Sequence, residues 1–228
     1  MIHFCLSLSR HSFATGLRRC LPVILVALAG CSVLPDKETL VFYQLPAVEA
    51  APAAQHAANA QSVPPVLRIT TPYGDRAVAS TRILVEPEPN RISAYKGVRW
   101  ADAAPLLLRD RLVEAFRTRD VFRSVVADTG VLKADFELTS ELSQFQVVYQ
   151  DGSPVVVVVM DATLVDLASS RIVASHRFQI EQAVQGKEVP EVVQAFGRAV
   201  GRLAAQLLDW AQRQAQTVKM KDANDSLR

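Results

Sequence analysis

The 228-residue sequence has few of the side chains that most enzymes use for catalysis or metal binding, with only three cysteines and four histidines. It has no Gly-Lys-Ser/Thr loop for nucleotide phosphates, and no His-Glu-x-x-His pair or Cys/His cluster that would hold a metal. These absences argue against an ATPase and against a metalloenzyme. We therefore expect a protein without catalytic residues, bound metal or cofactor.

The sequence also lacks an N-terminal apolar run long enough to cross a membrane. The apolar segment from Cys20 to Ala29 is ten residues long, whereas a spanning helix needs about 20. A basic pair, Arg18-Arg19, precedes this segment, and Leu28-Ala29-Gly30-Cys31 ends it. This order is typical of a bacterial lipoprotein signal, so residues 1–30 are predicted to be a signal peptide and Cys31 to carry lipid. The alternative is an ordinary secretory peptide with Cys31 merely nearby.

Removal of the predicted signal changes the apparent composition. Residues 1–30 hold three arginines, no acidic residue, two of the three cysteines and two of the four histidines. The remaining 198 residues carry 22 basic and 23 acidic side chains. The mature chain is therefore nearly neutral, which argues against a nucleic-acid-binding surface. It also has no cysteine left to form a disulfide.

A lipid on Cys31 would fix the protein to a membrane, because two or more acyl chains such as palmitate give stable anchoring. Ser32 follows the cysteine, where an aspartate would usually direct retention in the inner membrane. We therefore expect localisation to the outer membrane, on its periplasmic face, with residues 31–38 as a lipid-anchored tether.

The N-terminal part of the mature chain contains one predicted strand and one predicted loop. A β-branched and aromatic run at 39–45 predicts a strand. Residues 47–64 contain eight alanines, two prolines and almost no large apolar side chain, and predict a flexible loop. If the strand did not join the domain, all of 31–65 would be a tether. We favour a domain over 39–214, followed by a polar tail at 215–228 that frays from Thr217 onward.

Hydrophobic periodicity predicts the remaining elements. Apolar faces at helical spacing indicate helices over 102–118, capped by Asp102, and over 190–214. Alternating patterns between 135 and 184, with Asp151-Gly152 at the first turn, indicate an antiparallel meander of three long strands. Shorter strands are predicted at 66–70, 81–86, 91–95 and 122–127. The predicted fold class is α+β: a single domain, mostly antiparallel sheet with two amphipathic helices packed on one face.

Three internal features have both a structural and a functional interpretation. His176 lies within an apolar stripe of its strand, and we interpret it as a packed, hydrogen-bonded core residue. Gly197 and Gly201 have the spacing of a helix-packing motif, for which packing on the protein's own sheet is favoured over a partner helix. The valine run at 155–159 indicates a buried central strand rather than an edge that recruits a partner strand.

The stretch from Tyr95 to Asp102 is the most specific internal motif. Two aromatic residues, a glycine turn and Arg99 lead into the first predicted helix. Aromatic and arginine side chains are typical interface anchors, so Tyr95, Arg99 and Trp100 form a candidate partner interface. An equally good interpretation is that Trp100 fills the gap between helix and sheet.

Three of these motifs, in this order, resemble those of a known family: Leu28-Ala29-Gly30-Cys31, then Phe42-Tyr43-Gln44-Leu45, then Tyr95 with Arg99-Trp100-Ala101-Asp102 before an apolar helix. The chain resembles the auxiliary lipoproteins of ABC-type lipid transporters of the mammalian-cell-entry class, the paraquat-inducible protein C-like group. The order of the later strands and the closing amphipathic helix also fit that family.

The resemblance implies a non-enzymatic docking subunit of such a transporter, which would move phospholipid or another apolar solute across the envelope. Its partners would be an inner-membrane permease, an ATPase and a periplasm-spanning substrate-binding protein, with a homo-oligomer as a further expectation. Two alternatives stay open: a lipid-binding shuttle lipoprotein and a lipoprotein activator of cell-wall synthesis.

Replacement of Cys31 by alanine tests the predicted anchor. Because the lipid is attached through the thiol, the Cys31→Ala protein is expected in the soluble envelope fraction, whereas the unchanged protein is expected with membranes. Cell fractionation followed by immunoblotting measures this. Unchanged membrane fractionation of the variant would refute the anchor.

Overall fold

The structure is a computed structural model that describes residues 39–47, 63–119, 121–130 and 132–225. The predicted signal peptide, the tether, Cys31 and most of the predicted loop at 47–64 lie outside these ranges. Within the described part, two helices pack against one face of a seven-stranded sheet. Neither described helix is long and apolar enough to cross a membrane.

The elements follow one another in an α+β order. The strands and helices of the described part are β1 (Val41–Tyr43), β2 (Val66–Ile69), β3 (Leu84–Glu88), β4 (Arg91–Ala94), β5 (Val98–Trp100), α1 (Ala104–Arg117), β6 (Ser124–Ala127), β7 (Phe136–Gln150), β8 (Ser153–Asp166), β9 (Arg171–Ala183) and α2 (Val189–Asp225).

The three longest strands form the predicted antiparallel meander, with β8 hydrogen-bonded to β7 on one side and β9 on the other. Asp151 and Gly152 turn the chain between β7 and β8, with φ values of 50° and 76°. Positive φ at both central residues is what a tight two-residue hairpin requires. The valine run at 155–159 therefore lies in the central strand of the meander, as predicted, where Val156 and Val158 have no exposed surface.

Strand β7 also holds the shorter strands in place. Its first residues pair in parallel with β2 and its last residues pair in parallel with β3, on the edge opposite to β8. Strand β6 then extends the sheet from β2, and β4 extends it from β3. The sequence did not predict these parallel pairs, because parallel strands are joined by long connections that carry no turn signal.

A β-bulge in β7 explains an apparent break in its hydrophobic alternation. Phe136, Leu138 and Leu142 face the core, and regular alternation would then turn Phe145 toward solvent. The register shifts between Leu142 and Gln144, which adds one residue to β7. Because an extra residue reverses the facing of all later ones, Phe145 is buried.

A second bulge corrects the predicted apolar stripe of β9. The register shifts where Leu164 pairs with Ala174 but Val165 pairs with Ile172, so Val173 is the extra residue. Ile172 is consequently 68% exposed. His176 is exposed as well, with its ring 4.7 Å from Phe178 between centroids. The prediction of a buried, hydrogen-bonded core histidine is therefore wrong: His176 is exposed, and its ring packs against Phe178.

The helix ends also differ from the predictions. The predicted cap by Asp102 is wrong: the N-cap of α1 is Ala103, whose side chain cannot accept a hydrogen bond, and the Asp102 carboxylate accepts one from the adjacent Ala103 N–H at 2.7 Å. Pro105 lies in the first turn as predicted. Helix α2 continues to Asp225 instead of ending at residue 214. Its predicted apolar stripe is buried: Val193, Phe196, Val200, Leu203, Ala204, Leu207 and Ala211.

An ion pair fastens α1 to the sheet. The Arg109 guanidinium, which is almost fully buried, donates to Thr71 Oγ1 at 2.8 Å and to Asp128 Oδ1 at 2.9 Å. The Thr71 N–H donates to Asp128 Oδ2 at 2.7 Å. Partial burial opposes ionisation of this carboxyl, but the hydrogen bonds from Thr71 and the Arg109 charge outweigh it and hold the pKa of Asp128 below its usual value. These contacts join residues that follow β2 and β6 to α1.

Strand β1 is built into the domain through a separate two-stranded sheet with β5, in which Tyr43 pairs with Trp100. The Val41 N–H donates to Gly97 O at 2.9 Å, and the Ala101 N–H donates to Tyr43 O at 2.8 Å. The chain after β1 is held equally firmly. Leu45 is fully buried, and Arg111 Nε donates to its carbonyl oxygen at 2.8 Å.

Gly197 of α2 makes room for this N-terminal segment. A Cβ added at Gly197 would lie 2.8 Å from Pro46 Cβ and 3.0 Å from Pro46 Cγ. Real Cβ atoms do not approach carbon so closely, so α2 needs glycine where Pro46 packs on it. The contact is internal, as the favoured interpretation held, but it is made with the chain after β1 rather than with the seven-stranded sheet.

The Gly197→Ala variant should therefore lower the free energy of unfolding by about 1–3 kcal/mol, since overpacking forces a shift. Removal of the Pro46 ring in the double variant Gly197→Ala/Pro46→Gly should recover part of this loss. Chemical denaturation measures both values. Gly130→Ala is the control, because a Cβ there meets nothing within 4 Å. A Gly197→Ala protein as stable as this control would contradict the packing argument.

Candidate functional site

Two residues of the candidate interface, Arg99 and Trp100, point to opposite faces of β5 because side chains alternate along a strand. Trp100 faces the interior and has no exposed surface. Its ring centroid lies 6.0 Å from that of Phe145 on β7 and 5.2 Å from that of Phe196 on α2. Its indole Nε1 has no hydrogen-bond partner in the part of the chain that the structure describes. Trp100 therefore fills the gap between helix and sheet and offers no surface to a partner.

Tyr95 is also partly buried. Its N–H donates to Ile83 O at 3.0 Å, and its side chain packs against the hydrophobic core. Burial, with a smaller contribution from the neighbouring Tyr149 phenol, raises the pKa of Tyr95 to about 12. Its hydroxyl is therefore neutral at physiological pH.

Arg99 faces away from Trp100 and is partly exposed. It lies directly opposite Phe42 in the β1–β5 register. Its Nη1 donates to the carbonyl oxygen of the preceding Val98 at 2.7 Å. Of the three predicted interface residues, Tyr95 and Arg99 are thus partly exposed, and Arg99 is the one that carries a charge.

An apolar surface lies beside Arg99. Leu40, Val41 and Phe42 are 49%, 46% and 61% exposed, and we call these three residues the Leu40–Phe42 surface. The sequence pattern predicted a strand at Phe42 but did not predict its exposure. The signal was a run of four consecutive large apolar or aromatic residues, Leu40 to Tyr43, too continuous for a strand with one wet face.

A second feature is an open cleft of about 690 Å³ where β2, β6 and β7 begin. Arg68, Arg123, Lys133 and Lys219 line it, together with Asp135 and Asp166. Two of the cations are already engaged: Arg68 Nη1 donates to Glu137 at 3.0 Å, and Lys219 Nζ donates to Val63 O at 2.6 Å. Nothing in the sequence pattern indicates this cleft, because its cations are far apart in the chain.

The described residues contain no group of three or more His, Cys, Asp or Glu side chains that could hold a metal ion. Asp161, which lies on β8, is bound by Arg177 through hydrogen bonds of 2.8 and 2.6 Å. The Arg177 guanidinium holds the pKa of Asp161 below its usual value. Both side chains are exposed, and such pairs contribute little to stability.

Comparison with known proteins places the chain among envelope components. A family model described as the ABC-type transport auxiliary lipoprotein component matches residues 43–207. The uncharacterized protein bll6063 of Bradyrhizobium diazoefficiens is 25% identical over 169 residues, which cover 67% of this chain and 46% of that protein. The chain thus spans about half the length of this curated relative.

Solved structures share the fold. The crystal structure of protein XCC0632 from Xanthomonas campestris has a TM-score of 0.69 at 24% identity, covering 79% of this chain and 99% of that chain. A crystal structure of another uncharacterized protein has a TM-score of 0.58 at 17% identity, covering 75% of this chain and 97% of that chain. At these identities the likeness shows the fold alone.

The different roles of Trp100 and Arg99 can be measured. Trp100→Ala should lower the free energy of unfolding by about 3–5 kcal/mol, because it leaves a cavity between Phe145 and Phe196. Trp100→Phe should cost less, since it keeps an aromatic ring and removes an unpaired N–H. Arg99→Ala should cost less than about 1 kcal/mol. Urea denaturation of the three variants measures this, and a Trp100→Ala protein as stable as Arg99→Ala would contradict the core assignment.

Proposed function

The chain belongs to the family of ABC-type transport auxiliary lipoprotein components, and we propose that it is a lipid-anchored docking subunit on the periplasmic face of the outer membrane. Its transporter would be of the mammalian-cell-entry class, and its cargo phospholipid or another apolar solute. The proposed partners are the periplasm-spanning substrate-binding protein and, through it, the permease and its ATPase. In this role the protein binds and positions, and catalyses no reaction.

The observation that carries this proposal is that β1 is hydrogen-bonded and packed into the folded domain. Strand β1 pairs with β5, Arg111 holds the carbonyl of Leu45, and Pro46 packs on Gly197. Leu40 is nine residues after Cys31, so the lipid lies within about 30 Å of the folded domain. A free leader to residue 65 would instead reach about 115 Å. A short connection of this kind suits a protein that holds a partner close to one membrane.

The charged side chains support a binding role. The buried charge of Arg109 is used to join α1 to Thr71 and Asp128, and the Asp161 carboxylate is engaged by Arg177. In both cases the charged side chain is paired with an oppositely charged side chain of the same domain. Neither places a nucleophile beside a general base, which is the arrangement that acyl-transfer enzymes require.

The packing of the interior bears on the shuttle alternative. A shuttle would hold acyl chains in an apolar cavity between helices and sheet. In this structure that layer contains large side chains that are at most 1% exposed: Trp100, Leu108, Phe145, Met160 and Phe196. This packing favours the docking role. The cell-wall alternative shares the proposed anchor and compartment, so the identity of the partner must separate the two.

Affinity purification of the tagged full-length protein from crosslinked membranes tests the docking role. The expected result is co-purification of a mammalian-cell-entry-type substrate-binding protein. The Cys31→Ala protein, which should lose its position at the membrane, is expected to recover much less of it.

Mass spectrometry of the crosslinked material distinguishes the alternatives. Recovery of cell-wall synthases without any transporter protein would contradict the docking role and support the activator. Stoichiometric phospholipid in the purified protein, without a protein partner, would support the shuttle instead.

A further inference from the structure

Leu40, Val41 and Phe42 are each about half exposed. Phe42 lies on the same face of the β1–β5 sheet as Arg99, and Val41 points to the opposite face. Tyr43 and Leu45, which follow directly, pack into the protein. The exposed side chains therefore lie at the N-terminal end of β1, which is the end nearest to the predicted tether. Contiguous exposed apolar groups of this kind usually mark a contact surface.

The position of this surface relative to the rest of the domain is fixed. The Val41 N–H bonds to Gly97 O at 2.9 Å, and Phe42 lies opposite Arg99 in the β1–β5 register. The surface cannot swing away from the domain without breaking this sheet. Since Leu40 is nine residues after Cys31, the membrane that would hold the lipid lies within about 30 Å. A lipid bilayer is therefore the one large apolar partner that the chain itself brings near.

The chemistry of the surface matches the boundary between lipid headgroups and acyl chains. Leu and Phe side chains enter the apolar side of that boundary, and an arginine beside them meets the phosphates. Arg99 occupies that place, opposite Phe42. Arginine is suited to it because its guanidinium forms paired hydrogen bonds with phosphate oxygens.

We propose that the Leu40–Phe42 surface, with Arg99, inserts into the face of the bilayer that carries the Cys31 lipid, so that the anchored domain is held in one orientation. The proposal rests on the lipid anchor of the proposed function. Three half-exposed side chains are too few for stable membrane binding alone. When the lipid already holds the chain, the contact becomes intramolecular, and a weak contact is then sufficient.

A fluorescent label beside the surface tests the insertion. In the mature chain Cys31 is the only cysteine and is blocked by lipid, so a cysteine introduced by Gln44→Cys is labelled alone. Gln44 is exposed and follows β1 directly. The full-length lipidated protein is labelled with nitrobenzoxadiazole and reconstituted into vesicles of phosphatidylethanolamine and phosphatidylglycerol with brominated acyl chains.

The expected result is at least twofold stronger quenching by brominated lipid at position 44 than in the control Ile172→Cys. Ile172 lies on β9 and is also exposed, at 68%. In the Gln44→Cys background, the substitutions Leu40→Ser and Phe42→Ser together should remove this difference while the protein stays with the vesicles. Both side chains are exposed, so circular dichroism should show an unchanged fold.

Equal quenching at positions 44 and 172, or quenching at 44 that survives the double substitution, would overturn the proposal. Shielding of the label that grows with protein concentration, without quenching by brominated lipid, would overturn it as well and assign the surface to a second copy of the chain. Failure of the lipid anchor itself is detected by a separate measurement. If Cys31 carried no lipid, the Cys31→Ala substitution would not release the protein from membranes.

Discussion

The parallel pairing of β1 with β5 is the contact on which the proposed use of this fold depends. Strand β5 ends in Trp100, whose ring lies between Phe145 of the sheet and Phe196 of α2. Strand β1 is therefore hydrogen-bonded to a segment that is itself fixed in the core. Through this pairing, Val41–Tyr43 become part of the folded domain rather than an extension of the predicted tether.

This arrangement has a mechanical consequence. A load applied at Cys31 would reach the core through β1, the buried Leu45 and the contact between Pro46 and Gly197. If Cys31 carries the proposed lipid, a short connection to a strand fixed in the core would restrict the distance and the orientation of the domain relative to the membrane. Those restrictions suit a subunit that must present one face to a partner, and the family to which the chain belongs has transport auxiliary components as its members.

Local patterns predicted much of the fold. The apolar stripe of α2, the hairpin at Asp151-Gly152 and the central position of the valine run all depend on residues close in sequence, and all are confirmed. The predictions for β9 and for the partners of β7, which were wrong or missing, depend on distant residues. The bulge at Val173 moves Ile172 out of the core. His176 is exposed and packs against Phe178. The parallel partners of β7 carry no local signal at all.

The sequence by itself determined the fold class, through periodicity, and the predicted lipid site at Cys31, through a short signal that needs no tertiary context. Only the tertiary structure decided which side chains of the Tyr95–Asp102 stretch face inward. Alternation along β5 requires Arg99 and Trp100 to point in opposite directions, but it does not say which side is covered. Phe145 and Phe196, distant in the chain, cover the side of Trp100, and this leaves Arg99 with the exposed Leu40–Phe42 surface.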